Sequence, residues 1–186
     1  IDFVPFDIAS GKINLAELKE KLTIEVAAVY FENPSYFGYI EDQGQQIADL
    51  AHENGTLLVV GTDPTSLGIL TPPSQYGADI VCGDIQGLGM HMQYGGGQAG
   101  FIAVHDDENF VMQYPSRLFG IESTSEPGEW GFGDVTFDRT SFADRDNCNE
   151  FIGTATALWG ITAGVYLALM GPEGMKELGE LIIQKT

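Results

Sequence analysis

Three short apolar runs set the pattern of the amino-terminal half of the chain, at residues 26–31, 56–61 and 80–82. None of these runs carries a charged side chain. Continuous apolar runs bounded by polar segments are typical of parallel strands that are covered on both faces. A fourth run, at residues 101–104, follows after too short a connection for a parallel crossover. This run is therefore predicted to lie antiparallel to its neighbour.

Segments with a helical spacing of apolar side chains separate the runs. Asn14 is predicted to cap the first helix, and Glu17, three residues later, to complete a capping box. A second helix is predicted over residues 41–54, with Ile47 facing inward and Gly55 as its end signal. Strands that alternate with helices predict an α/β fold with three layers, α/β/α, around a mostly parallel sheet.

Three loops are predicted to converge at the carboxyl ends of the strands, where such sheets bind ligands: 33–38, 62–65 and 84–100. The last loop is rich in glycine, and Gly95-x-Gly97-x-x-Gly100 formally matches the dinucleotide-binding fingerprint. That fingerprint requires a helix after the glycines, whereas the residues that follow here are strand-like. The glycines are therefore predicted to permit close backbone approach or a positive φ in a turn.

The carboxyl-terminal part contains an uncharged run, residues 151–170, that is long enough to cross a membrane. Its many small side chains favour the alternative of a helix buried by packing within the protein. Gly171 and Pro172 predict that this helix ends and that a new one begins. Between the two halves of the chain, residues 130–137 are predicted to form the arm of a hairpin that packs on the sheet.

Composition narrows the class of protein. The 186 residues are 44% hydrophobic and suit a single domain, 1–186. The chain begins at Ile1, without an initiator methionine, and is interpreted as a fragment of a longer chain. A formal net charge of -19 makes nucleic acid and anionic membrane surfaces unsuitable partners. Cys82 is predicted to be a buried thiol, which favours a reducing compartment and a cytoplasmic location.

The glycine-rich stretch resembles glycine decarboxylases, the P-proteins of the glycine cleavage system. The resemblance is carried by the residues at 84–89, 94–96 and 100–103, and further motifs follow at 113–121 and 166–174. It implies the large domain of the fold-type I pyridoxal-phosphate transferases, the aspartate aminotransferase fold. The form that this chain resembles is the α-type subunit, which lacks the cofactor lysine. The place of that lysine falls near Leu88, and leucine cannot form a Schiff base.

The resemblance implies that two subunits have different roles in one enzyme. A β-type glycine dehydrogenase subunit would carry pyridoxal phosphate, this chain would hold none covalently, and the lipoyl carrier H-protein would be a further partner. A homo- or hetero-oligomer is implied, in this family a heterotetramer. One departure concerns residues 145–151, where Arg145 fits the family pattern and Asn147 stands in place of its lysine. This departure leaves open a second interpretation, a non-catalytic binding or structural module that kept the fold.

Four residues are candidates for lining a cofactor pocket: Asp63, Gln86, Gly95 and Gly96. The resemblance places Asp63 close to the aspartate that pairs with the pyridine nitrogen. The residues themselves also allow Asp63 to satisfy turn amides before a proline, and Gln86 to brace a turn. No catalytic residue is predicted, and His91 has no further ligand at metal-binding spacing.

The positions of the lysines exclude covalent cofactor capture without reference to any family. Lys12, Lys19, Lys21, Lys176 and Lys185 are the only lysines, so none lies at the predicted strand ends.

Apolar side chains on two loops predict an interface with another chain. These are Met90, Met92 and Tyr94 on the glycine-rich loop and Tyr36 with Phe37 on the loop after the first strand.

Overall fold

The computed structural model describes residues 1–92, 95–150 and 156–185. The chain divides into two compact units, Ile1–Ala103 with Thr156–Thr186, and Val104–Ala155. The second unit is thus inserted in the sequence between two parts of the first. The strands are β1 (Ala28–Glu32), β2 (Leu57–Gly61), β3 (Ile80–Asp84), β4 (Gly100–Val104), β5 (Phe119–Ser123) and β6 (Trp130–Asp134), and the helices are α1 (Leu15–Lys21), α2 (Gly44–Glu53), α3 (Glu108–Val111) and α4 (Ala157–Lys185).

A four-stranded sheet in the order β1-β2-β3-β4 forms the centre of the first unit. The first two pairs are parallel, with Val29 opposite Leu58 and Val60 opposite Val81. Beyond the end of β3, the Ile85 N–H donates to the carbonyl of Ala99, just before β4, at 2.9 Å. The predicted α/β fold with a mostly parallel sheet is confirmed.

The prediction that strand β1 is covered on both faces was wrong. Its apolar sequence predicted coverage on both faces, but Phe31 is buried whereas Tyr30, on the opposite face, is 57% exposed. The physical reason is that the core shared with α1 and α2 covers the Phe31 face of β1, while Tyr30 lies on the other face, where Leu57 of β2 is also exposed. Leu58 and Val60 of the adjacent β2 are fully buried.

Helix α1 begins at its predicted cap and α2 ends at its predicted signal, but α2 begins at Gly44 and not at residue 41. The Asn14 side chain accepts from the N–H groups of Ala16 and Glu17, and caps α1. The capping box is only half formed, because the Asn14 N–H already donates to the carbonyl of Pro5 at 3.0 Å. Gly55 follows α2 with a φ of 71°. The helices and the sheet share one apolar core, which consists of Leu18, Leu22, Phe31, Ile47, Ala48, Leu58, Val60 and Ala78.

Helix α4 is broken where the sequence predicted a break. Gly171 has a φ of 61° and a ψ of -177°, and Pro172 begins the second part of the helix. Residues 151–155 of the predicted helix lie outside the described part of the chain. The prediction of a buried helix is only half right, because Ala163 is buried while Leu169 is 82% exposed. Among the described residues, no helix is long and apolar enough to span a membrane.

The second unit is built on the hairpin of β5 and β6, which confirms the hairpin predicted at residues 130–137, while its packing on the sheet stays a prediction. Arg117 Nε donates to Asp134 Oδ1 at 2.5 Å and its Nη2 donates to Oδ2 at 2.8 Å. The same guanidinium lies 4.1 Å from the ring centroid of Phe142. Arg139 is 3% exposed and donates through Nη2 to the carbonyls of Tyr114 and Ser116. Charged side chains therefore organise this unit, and within its described residues, 104–150, no apolar side chain is fully buried.

The ion pair predicts that the second unit is sensitive to acid. Hydrogen bonding by Arg117 holds the pKa of Asp134 below its usual value of 3.8. A lowered folded-state pKa contributes stability that is complete above the ordinary value and is lost as the pH falls through the lowered one. Asp134→Asn should therefore flatten the decline of stability below about pH 4. The stability of the second unit is followed through Trp130 fluorescence during a pH titration, in a Trp159→Phe background. Asp138→Asn is the control. An equal decline of stability in the Asp134→Asn and Asp138→Asn variants would contradict the prediction.

Candidate functional site

A cleft of about 410 Å³ lies at the carboxyl ends of β1, β2 and β3. The three loops predicted to converge at this edge do so, since residues from each of them form its walls. A larger groove, of about 680 Å³, runs along β1 and the amino-terminal residues. The smaller cleft is lined by Tyr30, Glu32, Pro34, Ser35, Tyr36, Gly61, Thr62, Asp63, Cys82, Gly83, Asp84, Gln86 and Gly87.

The floor of the cleft is a row of polar side chains on one face of the sheet. Tyr30 Oη donates to Glu32 Oε1 at 3.1 Å. Burial, the Glu32 charge and this hydrogen bond together raise the pKa of Tyr30 to about 12. An ideal Cβ on Gly61 would lie 2.6 Å from Tyr30 Oη, so the glycine leaves room for the phenol to lie over β2. Sequence reasoning did not single out this row, because the side chains come from strands that are far apart in the chain.

Cys82 completes the row as an unreactive thiol. It is partly buried rather than fully buried as predicted. Burial raises the pKa of the Cys82 thiol, and the nearby Glu32 carboxylate raises it further. The thiolate is the nucleophilic form of cysteine, so this environment disfavours nucleophilic chemistry at Cys82.

Asp63 directs one carboxylate oxygen at its own turn. Its Oδ1 accepts from the Thr65 N–H at 2.9 Å and from Thr65 Oγ1 at 2.8 Å. These bonds cap the short 3₁₀ helix Pro64–Gly68, which is the alternative that the residues themselves allowed. The Asp63 side chain is also exposed, and it lines the same cleft as Gln86.

Gln86 is fixed by its neighbours on the glycine-rich loop. Asp84 Oδ1 accepts from the Gln86 N–H at 2.6 Å. Gly96 has a φ of 78°, and an ideal Cβ there would lie 1.9 Å from Gln86 Nε2. Glycine at position 96 thus lets the amide rest against the backbone of the loop. Gly95 has a φ of 111° and faces open space. The structure therefore places Asp63 and Gln86 on the wall of the same cleft and Gly96 against the Gln86 amide, while Gly95 is exposed and neither glycine lines the cleft.

Part of the glycine-rich loop is covered by α4. Leu88 is 3% exposed and Met90 is 7% exposed, and both pack in one cluster with Ala163. The prediction that Met90 lies on an uncovered loop was wrong, because a helix from the far end of the chain returns to this loop. Tyr36 and Phe37 are 89% and 75% exposed, as an interface would require, and Tyr94 lies outside the described residues.

Two glycines of the loop allow the side chains of α4 to pack closely on it. An ideal Cβ on Gly97 would lie 2.6 Å from the Trp159 ring, and one on Gly89 would lie 3.0 Å from Tyr166. Gly89 also has a φ of 84°. The predicted roles of the glycines, close approach and positive φ, are confirmed at these positions.

The cleft does not fit covalent capture of pyridoxal phosphate, the group that the fold implies. Leu88, near the expected place of the lysine, faces the α4 cluster and is not part of the cleft wall. The charged groups that line the cleft are the carboxylates of Glu32, Asp63 and Asp84, which oppose a phosphate. Among the described residues, no three His, Cys, Asp or Glu side chains are grouped to hold a metal ion.

Comparison with known proteins gives a match along nearly the whole chain. The sequence model described as "Glycine cleavage system P-protein" matches residues 5–186. A protein of Staphylothermus marinus named "Probable glycine dehydrogenase (decarboxylating) subunit 1" is 37% identical over 186 residues, 100% of this chain and 39% of that protein. A Pyrococcus furiosus protein of the same name is 39% identical over 176 residues, 95% of this chain and 39% of its own.

A solved structure gives the same result. The crystal structure of a glycine decarboxylase (P-protein) of the glycine cleavage system, in inhibitor-bound form, superposes with a TM-score of 0.75 at 39% identity. The match covers 84% of this chain and 35% of that one. The chain thus spans about two fifths of the length of the curated relatives it matches.

Proposed function

Because the chain belongs to the glycine cleavage system P-protein family, we propose that it is subunit 1 of a decarboxylating glycine dehydrogenase, an oxidoreductase that is active only with a second subunit. The names of relatives that match the chain over its full length support this role. The observation that carries the proposal is the position of Leu88, which is packed under α4 instead of facing the cleft. A chain built in this way needs a partner to hold the cofactor.

The partner is a β-type glycine dehydrogenase subunit, and it holds pyridoxal phosphate on a lysine. When bound there, the cofactor serves as the electron sink for loss of the glycine carboxylate. This chain completes the shared site, and the lipoyl carrier H-protein accepts the product. The assembly is a heterotetramer in the cytoplasm.

Within this chain, the proposed contribution to the shared site comes from Asp63, Gln86, Gly95 and Gly96. Asp63 and Gln86 supply polar groups at the cleft, and their positions are held by Thr65 and Asp84. Gly96 lets the Gln86 amide lie against the loop, and Gly95 leaves backbone accessible to the partner. Tyr36, Phe37 and Met92 are exposed and provide apolar contacts for the partner.

Reconstitution tests this division of labour. The full-length chain is purified alone and with the β-type subunit, supplied with pyridoxal phosphate, reduced with borohydride and mapped by mass spectrometry. We expect one stoichiometric adduct on the partner and only scattered surface labelling here, because no lysine lies between Leu22 and Met175. Exchange of bicarbonate into the glycine carboxyl, in the presence of the H-protein, should require both subunits.

Two results would contradict the proposal. One is a stoichiometric adduct at a single lysine of this chain. The other is full exchange activity of the β-type subunit without this chain, at concentrations that saturate the H-protein. Lys176→Arg is the control variant for labelling of this chain, because Lys176 is the first lysine after the lysine-free span. Its Nζ is ion-paired with Glu180 Oε1 at 3.9 Å.

A further inference from the structure

A set of buried polar groups connects the end of β2 to a loop that forms part of the cleft wall. Asn33 and Glu41 are each 7% exposed and Thr62 is 6% exposed. Asn33 Nδ2 donates to the Glu41 carbonyl at 3.1 Å, and Asn33 Oδ1 accepts from the Glu41 N–H at 3.1 Å. This reciprocal pair closes the loop 34–40, whose first residues line the cleft. We call Asn33, Glu41 and Thr62 the buried polar network.

The network is anchored at both ends. Thr62 Oγ1 donates to the Asn33 carbonyl at 2.8 Å, which ties the start of the loop to the residue after β2. At the far end, the Glu41 carboxylate accepts from the N–H groups of Ile13 at 2.7 Å and Gln43 at 2.9 Å. Ile13 lies just before the cap of α1, and Gln43 lies just before α2. The two ends of the loop are therefore held by separate elements of the first unit.

Buried polar groups of this kind contribute more to the choice of one geometry than to stability. Their desolvation offsets most of the energy of their hydrogen bonds, so apolar side chains of the same shape would stabilise the fold about as well. A fully paired network, however, disfavours every other arrangement, because any shift leaves a buried donor or acceptor unpaired. Asn33 meets this condition, since its side-chain oxygen, its side-chain nitrogen and its carbonyl all have partners.

The middle of the loop depends on this anchoring for its direction. Tyr36 and Phe37 are 89% and 75% exposed. Hydrogen bonds inside the loop join Ser35 with Gly38 and with Tyr39. These bonds set the local shape of the loop, whereas the buried polar network sets its direction relative to the sheet.

We propose that Asn33 and Glu41 are positioning residues, which hold the loop 34–40 in the one conformation that completes the cleft wall. The inference rests on the proposed function for the role of this wall in the shared site. A wall that is already ordered does not have to lose conformational entropy when the site is assembled, and assembly is tighter as a result.

Two buried threonines at opposite ends of β2 provide a matched pair of variants. Thr62→Val removes the hydrogen bond to the Asn33 carbonyl at the cleft. Thr56→Val removes an equivalent bond, from Thr56 Oγ1 to the Val26 carbonyl at 2.9 Å, at the end of β2 away from the cleft. Both substitutions keep the shape of the side chain. A purely structural role of the network predicts the same effect for both variants.

Native-state amide hydrogen exchange in the full-length chain tests the position of the loop. The probes are the N–H groups of Ser35, Gly38 and Tyr39, which are hydrogen-bonded within the loop. We expect these amides to exchange about fivefold faster in Thr62→Val, the effect of one lost hydrogen bond, and about tenfold faster or more in Asn33→Ala. Thr56→Val should leave their exchange unchanged.

The reconstituted bicarbonate exchange reaction gives a second measurement, in which the full-length chain is titrated into a fixed amount of the β-type subunit. In Asn33→Ala the loop must be ordered when the site is assembled, so the half-saturating concentration of this chain should rise about tenfold. The rate at saturation should stay within about twofold of the parent rate, because Asn33 does not line the cleft. A general loss of stability would not separate these two quantities.

Three results would overturn the positioning role. The first is equal exchange of the loop amides in Thr62→Val and Thr56→Val, a comparison that also decides the matter if Asn33→Ala does not fold. The second is an unchanged half-saturating concentration in folded Asn33→Ala, and the third is a loss confined to the saturated rate. Failure of the parent chain to stimulate the β-type subunit would instead refute the proposed function, and amide exchange would still test whether the network holds the loop.

Discussion

Leu88→Lys is expected to destabilise the chain by roughly 4 kcal/mol or more, and not to create a cofactor-binding lysine. Leu88 is 3% exposed and packs in the cluster with Ile85 and Ala163. An ammonium group there has no charged partner among the residues of the cluster, so folding must either neutralise it or expose it. Burial of a lone lysine lowers its pKa by several units, and each unit costs about 1.4 kcal/mol at neutral pH.

Urea unfolding measures the loss of stability in Leu88→Lys. Two further variants identify the cause of this loss. Leu88→Met keeps the volume and the apolar character and should cost less than about 1.5 kcal/mol. Gln86→Lys puts the same ammonium on the cleft wall beside Asp63 and Asp84, where its cost should be small. A Leu88→Lys variant that is as stable as Leu88→Met and gives a specific borohydride-reducible adduct would show that position 88 still faces a cofactor site.

Gly83→Ala is expected to destabilise the first unit by about 3 kcal/mol, at the upper end of what overpacking costs. An ideal Cβ at this position would lie 2.1 Å from the carbonyl oxygen of Thr62 and 2.8 Å from the Phe101 ring. The first contact is with backbone, and Thr62 itself donates to the Cys82 carbonyl at 2.8 Å. Relief of the clash therefore requires β2 and β3 to separate at the edge of the cleft.

Thermal unfolding of Gly83→Ala is compared with that of Gly133→Ala. An ideal Cβ on Gly133 meets nothing within 4 Å, so this control tests the effect of adding a methyl group to a strand glycine in open space. The control should stay within about 1 kcal/mol of the parent chain. Equal melting temperatures for Gly83→Ala and the parent would mean that the two strands are not held as close as described.

Local signals in the sequence were enough to predict the order and type of the main elements. The apolar runs became β1, β2 and β3, and Asn14, Gly55 and Gly171 mark helix ends as expected. These signals act over a few residues, through caps, positive φ and the spacing of apolar side chains. The convergence of three loops at the cleft also followed, because it is a property of parallel sheets in general.

Features that depend on distant parts of the chain could not be predicted. The edge position of β1, with Tyr30 half-exposed, depends on which strands flank it, and an apolar run does not encode this. The burial of Met90 depends on α4, which follows the whole second unit in sequence. To predict that the Tyr30 side chain crosses over Gly61, the register of β1 and β2 would have to be known.

The order of segments along the chain also has a consequence for the kinetics of folding. The glycine-rich loop is synthesised before the second unit, and α4, which covers it, is synthesised after that unit. Contacts between residues so far apart in sequence carry a large loop-closure entropy and tend to form late. The four-stranded sheet can pair before α4 exists, whereas the packing of Trp159 on Gly97 must wait until α4 has been synthesised. During synthesis, the loop beside the cleft is therefore the last part of the first unit to become rigid.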